Sequence, residues 1–124
     1  MRALTEMGLD SDERLMAGGI ERRLTAADFE SFPDALKQRI ALARCFVKDA
    51  PIFMLDNPAG SLDTTSELHL IRKFSALKGR ATVLFTTYRP SLMRLADRLI
   101  VLKDGQIALD GHPDKVLERL AKAA

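Results

Sequence analysis

Residues 52–63 read Ile-Phe-Met-Leu-Asp-Asn-Pro-Ala-Gly-Ser-Leu-Asp, and this stretch carries most of the information about the fold class. Its first four residues are apolar without alternation, which is typical of a strand buried on both faces, as in a parallel sheet. Asp56 follows at once, and α/β folds bind ligands at the carboxyl edge of the sheet. An isolated acid after an apolar run is more often a turn residue, so the neighbouring segments must decide between the two interpretations.

The preceding segment predicts the clearest helix of the chain. Over residues 33–48, Leu36, Ile40, Ala43 and Val47 recur at helical spacing and form one apolar stripe. Residues 1–31, before this helix, contain only short amphipathic pieces interrupted by glycines, which predicts short irregular helices.

The segments after Asp56 continue an alternation of helices and strands. Residues 63–77 predict a helix with Leu68, Ile71 and either Phe74 or Leu77 facing inward. The remaining elements are a second buried strand at 82–86, a short helix at 90–96, a hairpin turning at 104–105 and a helix from residue 113 to the end. This order predicts an α/β sandwich with a largely parallel sheet.

The composition restricts the class of partner. The chain has 124 residues, 47% hydrophobic and 29% charged, with a net charge of +2. That charge is too small to predict nucleic acid or an anionic membrane as a partner. The single Cys45 excludes an internal disulfide and fits a reducing compartment. No stretch approaches the roughly 18 apolar residues that span a bilayer, so any membrane link is expected to come through a partner.

Four segments in this order resemble the ATP-binding-cassette (ABC) family, in the C-terminal part of an exporter-type nucleotide-binding domain. They match the helix after the signature motif, the Walker B strand with its D-loop, the switch strand and the final hairpin, at residues 38–44, 52–63, 82–90 and 96–107. One such motif would be a weak signal, whereas four collinear motifs are a strong one. The resemblance implies part of a P-loop NTPase (RecA-like) sandwich, with residues 1–31 as the remnant of the helical subdomain and residues 32–124 as the C-terminal part of the ATPase core.

The resemblance also implies the site residues. Asp56 would hold Mg²⁺, usually through water, and Asp63 would lie in the D-loop near the nucleotide. The signature positions, which in the family contact the γ-phosphate bound to the opposite subunit, fall on Phe32, Pro33, Asp34, Ala35 and Leu36.

The sequence departs from the family at several of these positions. No Gly-x-x-x-x-Gly-Lys-Ser/Thr loop occurs in the chain, so no ring of backbone amides is available for the β- and γ-phosphates. Asn57 takes the position of the catalytic glutamate, and an amide cannot accept a proton from water. Tyr88 takes the position of the switch histidine, and Pro33 with Asp34 removes an N–H and adds a carboxylate where phosphate would bind.

The function implied is that of a truncated, degenerate cassette of an exporter, with protein or peptide secretion among the roles it would fit. We expect no hydrolysis by the chain alone, and ATP with Mg²⁺ only if another segment or chain supplies a phosphate loop. The partner would be an ABC transmembrane domain or a second cassette, with a homo-oligomer or strand-exchanged dimer as an alternative. Such a protein would be cytoplasmic and peripheral to the inner membrane.

Three other interpretations compete with this one. A non-catalytic module that docks on a transporter or cassette and regulates it is the main alternative. Chromosome-maintenance ATPases also carry a signature without a phosphate loop, but they need a long coiled coil and no heptad run is present. Lys37, Arg39, Arg44 and Lys48 form a basic helix face, which is more often solvated than bound to nucleic acid.

The resemblance further implies a phosphate-loop strand between the strands at 82–86 and 98–103. Without it two strand edges lose their partner, and each unpaired buried backbone group costs about 1–3 kcal/mol. We expect the gap to be closed by direct pairing of the two strands, by insertion from another chain, or by rearrangement or oligomerisation. We do not expect residues 1–30 to supply the missing strand.

Overall fold

The computed structural model describes all 124 residues, and its contacts divide the chain into two compact units, Met1–Thr86 and Thr87–Ala124. The elements are α1 (Arg2–Glu6), α2 (Glu13–Met16), α3 (Ala26–Ser31), α4 (Asp34–Phe46), β1 (Ile52–Leu55), α5 (Thr64–Leu77), β2 (Thr82–Phe85), α6 (Pro90–Leu95), β3 (Leu99–Lys103), β4 (Gln106–Gly111) and α7 (Pro113–Ala123). The α/β fold class is confirmed. The division of residues 1–31 from 32–124 by family correspondence stays a prediction.

The first unit is built on a parallel β1–α5–β2 motif. β1 pairs with β2 in the register that sets Ile52 opposite Thr82 and Leu55 opposite Phe85. One face of this small sheet carries an aromatic cluster, in which neighbouring ring centroids lie 4.8–6.5 Å apart. Its members are Phe46 of α4, Phe53 of β1, Phe74 of α5 and Phe85 of β2. Helices α4 and α5 therefore both pack on the same face.

The opposite face of the sheet is exposed, and here the sequence prediction was wrong. Ile52, Met54 and Leu84 are 60%, 74% and 59% exposed, although an unbroken apolar run predicted burial on both sides. The physical reason is that both neighbouring helices of this unit, α4 and α5, lie against the aromatic face, so neither covers the second one. An unbroken apolar run shows that a strand is suited to burial on both faces. Whether both faces are covered depends on how the helices pack.

Two predicted inward positions on the helices were also wrong. Val47 follows the last residue of α4 and is 69% exposed, while Phe46 takes the buried position beside it. Leu68 of α5 is 46% exposed, because the helix turns Leu70 toward the core in its place. The remaining predictions for the two helices are confirmed, because Leu36, Ala43 and Phe74 are buried.

The N-terminal segment is built into the core of the first unit. Leu9 is fully buried, and Lys73 of α5 forms a 2.6 Å ion pair with Glu6 while lying 5.3 Å from the ring centroid of Phe46. Arg39 of α4 donates to the carbonyl of Gly8 at 3.0 Å and also forms an ion pair with the carboxylate of Asp12. The predicted short, irregular helices of residues 1–31 are thus confirmed, and no strand forms there.

The second unit contains the predicted hairpin and the terminal helix. Asp104 and Gly105 both have positive φ, 52° and 75°, as a two-residue hairpin turn requires. β3 and β4 are antiparallel, and Val116 of α7 is buried within this unit.

The strands form two separate two-stranded sheets, β1–β2 and β3–β4. The parallel part is therefore confined to β1 and β2. Within the first unit, β2 pairs with β1 alone, and the way in which the expected gap is closed stays a prediction.

Candidate functional site

Asp56 lies at the carboxyl edge of the parallel sheet, as its sequence position predicted. It follows β1 directly, and Thr86 follows β2 at the neighbouring position, with the Thr86 amide donating to the carbonyl of Leu55 at 3.1 Å. The Thr86 hydroxyl donates to Asp56 Oδ1 at 2.5 Å. This bond fixes the orientation of the carboxylate and leaves Oδ2 as the oxygen that could hold a cation or its water.

Asn57 begins a tight loop after Asp56. Its φ of 45° lies in the left-handed region, which asparagine tolerates better than most residues. Its amide donates to the Thr86 hydroxyl at 2.9 Å, and its carbonyl accepts from the Gly60 amide at 3.0 Å. A Cβ at residue 60 would lie 2.6 Å from Asn57 Nδ2, so the close approach of the side chain requires glycine or a displaced amide.

Gln38 of α4 holds this loop from the side of the helix. Its Nε2 donates to the carbonyl of Asn57 at 2.9 Å, and its Oε1 accepts from the amide of Ser61 at 2.6 Å. Both functional atoms of one side chain therefore bridge the beginning and the end of the loop. This contact joins the helix that follows the signature positions to the loop that follows Asp56.

Asp63 ends the same loop and begins α5. Its carboxylate accepts from the Ser66 amide at 2.7 Å, which makes it the N-cap of the helix, and this bond lowers the pKa of Asp63. Asp63 also lines a shallow cavity of about 490 Å³ together with Pro33, Ala35 and Leu36. The structure thus brings four of the predicted site residues together.

The predicted signature positions have different environments. Phe32 is buried and its ring lies 6.4 Å from that of Phe29, so its side chain belongs to the core. Pro33 is the N-cap of α4 and provides no side-chain cap, and Asp34 is exposed beside Lys37. The amides of Leu36 and Lys37 already donate to the carbonyl of Pro33. Only the first two amides of α4 remain for an anion, and a carboxylate stands next to them.

Tyr88 belongs to the second unit and precedes α6. Its side chain is 89% exposed. This exposure does not test the role that the resemblance implies for Tyr88 at the switch position, and that role stays a prediction.

The metal-binding capacity of the chain is small. No group of three or more His, Cys, Asp or Glu side chains is arranged to hold a metal ion. Asp56 offers one oriented carboxylate, which suits a Mg²⁺ ion that takes its other ligands from water and phosphate. The donor set therefore fits a shared Mg²⁺–phosphate site and not a cage formed by the protein alone.

Two residues of this site had no role assigned from the sequence. Thr86 could have been found, because a polar residue ends the strand beside that of Asp56 and the carboxyl ends of parallel strands share one edge. Gln38 gave no such signal, since its partners lie 19 and 23 residues away. None of the helices is long and apolar enough to cross a membrane.

Curated relatives with detectable similarity carry the name ATP-dependent lipid A-core flippase. The protein of Nitrosococcus oceani is 41% identical over 83 residues, which cover 67% of this chain and 14% of the flippase. The protein of Burkholderia orbicola is 36% identical over 110 residues, covering 89% of this chain and 16% of the relative. The chain thus spans about one seventh of the length of the relatives it matches. No family model matches the chain.

Two solved structures share the fold. A bacterial Atm1-family ABC exporter with ATP bound superposes with a TM-score of 0.83 at 24% identity, over 99% of this chain and 23% of the exporter chain. A dimeric ATP-binding cassette in a post-hydrolysis state, bound to ADP and phosphate, gives a TM-score of 0.67 at 24% identity, over 90% of this chain and 44% of the cassette.

Proposed function

Given that the chain belongs with the nucleotide-binding domains of ABC exporters and corresponds to their C-terminal part, we propose that it supplies the Walker B and signature-helix half of a nucleotide site. The observation that carries this proposal is the geometry at Asp56. This carboxylate follows a parallel strand, is oriented by Thr86 and is linked through the next loop to Gln38 of α4. An oriented acid at the carboxyl edge is what a Mg²⁺–nucleotide site needs.

The second part of the proposal is that this half-site does not hydrolyse ATP by itself. Phosphate needs a ring of backbone amides, and the sequence contains no phosphate-binding loop. Asn57 cannot act as a general base, because a carboxamide does not accept a proton from water. ATP and Mg²⁺ would therefore bind only together with a phosphate loop supplied by another segment.

The role of such a half-site would be in transport. The names of the relatives make a lipid the substrate class to test first, ahead of the protein or peptide cargo considered from the sequence. The partner would be an ABC transmembrane domain or a second cassette, through which the chain would sit at the membrane surface. Both statements concern the whole transporter, of which this chain covers a small share.

A turnover assay tests the proposal. The purified chain should release phosphate from MgATP no faster than buffer without protein does. Asn57→Glu alone should not raise this rate, because the phosphate-binding loop is still absent. Phosphate release should be followed with the wild-type chain, Asn57→Glu and Asp56→Ala in parallel. Turnover in the wild-type chain that disappears in Asp56→Ala would contradict the proposal.

A second candidate function is a non-catalytic module that docks on a transporter or cassette. The exposed apolar face of the sheet at Ile52, Met54 and Leu84 favours this candidate. A pull-down with an exporter's membrane domain separates the two. Capture that is independent of nucleotide and unaffected by Asp56→Ala would favour the docking module.

A further inference from the structure

The terminal helix α7 carries a row of basic side chains along one side. His112, Lys115 and Arg119 follow one another at spacings of three and four residues, which places their side chains next to each other on a helix. Together with residues of β4 they line a shallow cavity of about 480 Å³ that lies wholly within the second unit. None of these residues belongs to the site around Asp56.

The two carboxylates that line the cavity are already paired with cations of the same unit. Asp110 accepts from Arg98 Nε at 2.8 Å and from Nη2 of the same side chain at 2.6 Å, so both of its oxygens are engaged. Glu118 forms a 2.6 Å ion pair with Lys122. Neither carboxylate is therefore available to neutralise the other cations of the cavity.

Lys115 and Arg119 are the cations that remain without a partner. Neither forms a hydrogen bond or an ion pair within the chain. They stand four residues apart, and like charges at this spacing destabilise a helix. No acidic residue stands three or four positions from Arg119, so the helix itself provides no compensation. An anion bound between the two side chains would relieve their repulsion.

His112 provides a third donor beside these two cations. Its Nδ1 accepts from the backbone amide of Asp114 at 3.3 Å, which places the proton of the neutral ring on Nε2. The protonated ring carries a proton on Nε2 as well. The Nε2–H group is thus a donor in both states of the ring.

We propose that this cavity binds a phosphate monoester, with the phosphate group held between Lys115 and Arg119. Their two positive charges balance the charge of roughly −1.5 to −2 that a phosphate monoester carries at neutral pH. Arg119 can offer two parallel N–H donors and Lys115 a compact charge, which are the ways in which these residues bind phosphate. A carboxylate carries a single charge and would leave one cation unbalanced.

The binding experiment uses the full 124-residue chain and two soluble probes. Inorganic phosphate and glycerol 3-phosphate are titrated at pH 7 and constant ionic strength, and the backbone amide shifts are followed by NMR. Saturable shifts should appear within residues 112–119 with both probes. Replacing the probe by sodium chloride at the same ionic strength should give no saturable shift, because chloride only screens the charges.

Two substitutions in the cavity and a matched control locate the bound phosphate. Lys115→Gln and Arg119→Gln each remove one of the two charges and should weaken binding by about tenfold or more, as for a hydrogen bond to a charged group. Lys103→Gln removes the same charge from an exposed position of β3 that does not line the cavity, and it should leave the affinity unchanged.

A substitution of the opposite sign makes the test independent of folding defects. Glu118→Gln removes a negative charge from the cavity and releases Lys122 from its ion pair, so it should tighten binding of the same probes. A gain of affinity does not arise from a loss of structure. Circular dichroism of all variants should match the wild-type chain, since the replaced side chains are exposed.

Vesicle co-sedimentation identifies the source of the phosphate group. Vesicles of phosphatidylcholine with phosphatidic acid present a phosphate monoester at their surface, and vesicles of phosphatidylcholine alone do not. Recruitment to the first kind only, lost in Arg119→Gln and retained in Lys103→Gln, would assign the cavity to a lipid headgroup. Saturable binding of glycerol 3-phosphate without recruitment would assign it to a soluble ester.

Two results would overturn the inference. One is the absence of saturable shifts with both soluble probes together with the absence of recruitment to vesicles. The other is binding that tolerates both Lys115→Gln and Arg119→Gln, which would place the phosphate elsewhere. Asp56→Ala should bind phosphate as the wild-type chain does, so either result leaves the proposed nucleotide role untouched.

Discussion

At the scale of single residues, the site depends on side chains that bridge distant parts of the chain. The side-chain amide of Gln38 donates to one end of a loop and accepts from the other. The Thr86 hydroxyl donates to the Asp56 carboxylate and accepts from the backbone amide of Asn57. These residues orient the loop that carries the predicted catalytic positions. Their removal should therefore loosen the loop before it unfolds the domain.

Gln38→Leu should increase hydrogen exchange at the Ser61 amide and cost about 1 kcal/mol of unfolding free energy, as for typical hydrogen bonds that water can replace. Gln38→Glu keeps an acceptor for Ser61 and loses the donor to Asn57, so it should retain protection of the Ser61 amide. Amide exchange followed by NMR reports both variants. Equal exchange at Ser61 in the wild-type chain and Gln38→Leu would show that the bridge does not hold the loop.

Asp63 is expected to act in stability as the N-cap of α5. Asp63→Ala should lower the free energy of unfolding by about 1 kcal/mol, whereas Asp63→Asn, which keeps an acceptor for the Ser66 amide, should cost less. Urea unfolding at pH 7 measures the difference. A smaller loss in the alanine variant than in the asparagine variant would contradict the capping role.

The pH dependence of this cap follows from the lowered pKa of Asp63. The bond from Ser66 favours the ionised carboxylate, so its contribution is complete above the unfolded-state pKa of about 4 and is lost as pH falls through the lower folded pKa. Asp63→Asn should therefore reduce the loss of stability between about pH 5 and pH 2. The same urea series, repeated across that range, gives the comparison.

At the scale of elements, the two faces of β1 should respond very differently to truncation. Phe53→Ala removes a buried ring of the aromatic cluster and should cost about 3–5 kcal/mol. Met54→Ala removes a side chain that is 74% exposed and should change stability by less than about 0.5 kcal/mol. Urea unfolding followed by circular dichroism distinguishes them, and a comparable loss in both variants would mean that the second face is covered.

The sequence predicted the elements well where local chemistry decides them. β1 begins and ends where the apolar run does, and the turn at Asp104 and Gly105 formed because both residues accept positive φ. The covered and uncovered faces could not be predicted, because the apolar residues of β1 alternate between a helix-packed side and an exposed side. Which side receives a helix depends on tertiary packing and not on the residues of the strand.

At the scale of the whole molecule, the chain combines a well-packed aromatic core with an exposed apolar sheet face. The mixed helix and strand order and the similarity to exporter cassettes confirm the predicted family and fold. The oriented Asp56, without a phosphate-binding loop in the same sequence, leads to the central claim that the chain is one half of a nucleotide clamp.

Equilibrium binding of MgATP to the isolated chain tests this claim most directly. Titration calorimetry with the wild-type chain and Asp56→Ala should give the same result for both, with no saturable binding at micromolar nucleotide. Micromolar affinity in the wild-type chain that is lost in Asp56→Ala would contradict the claim, because the chain would then grip phosphate without a partner.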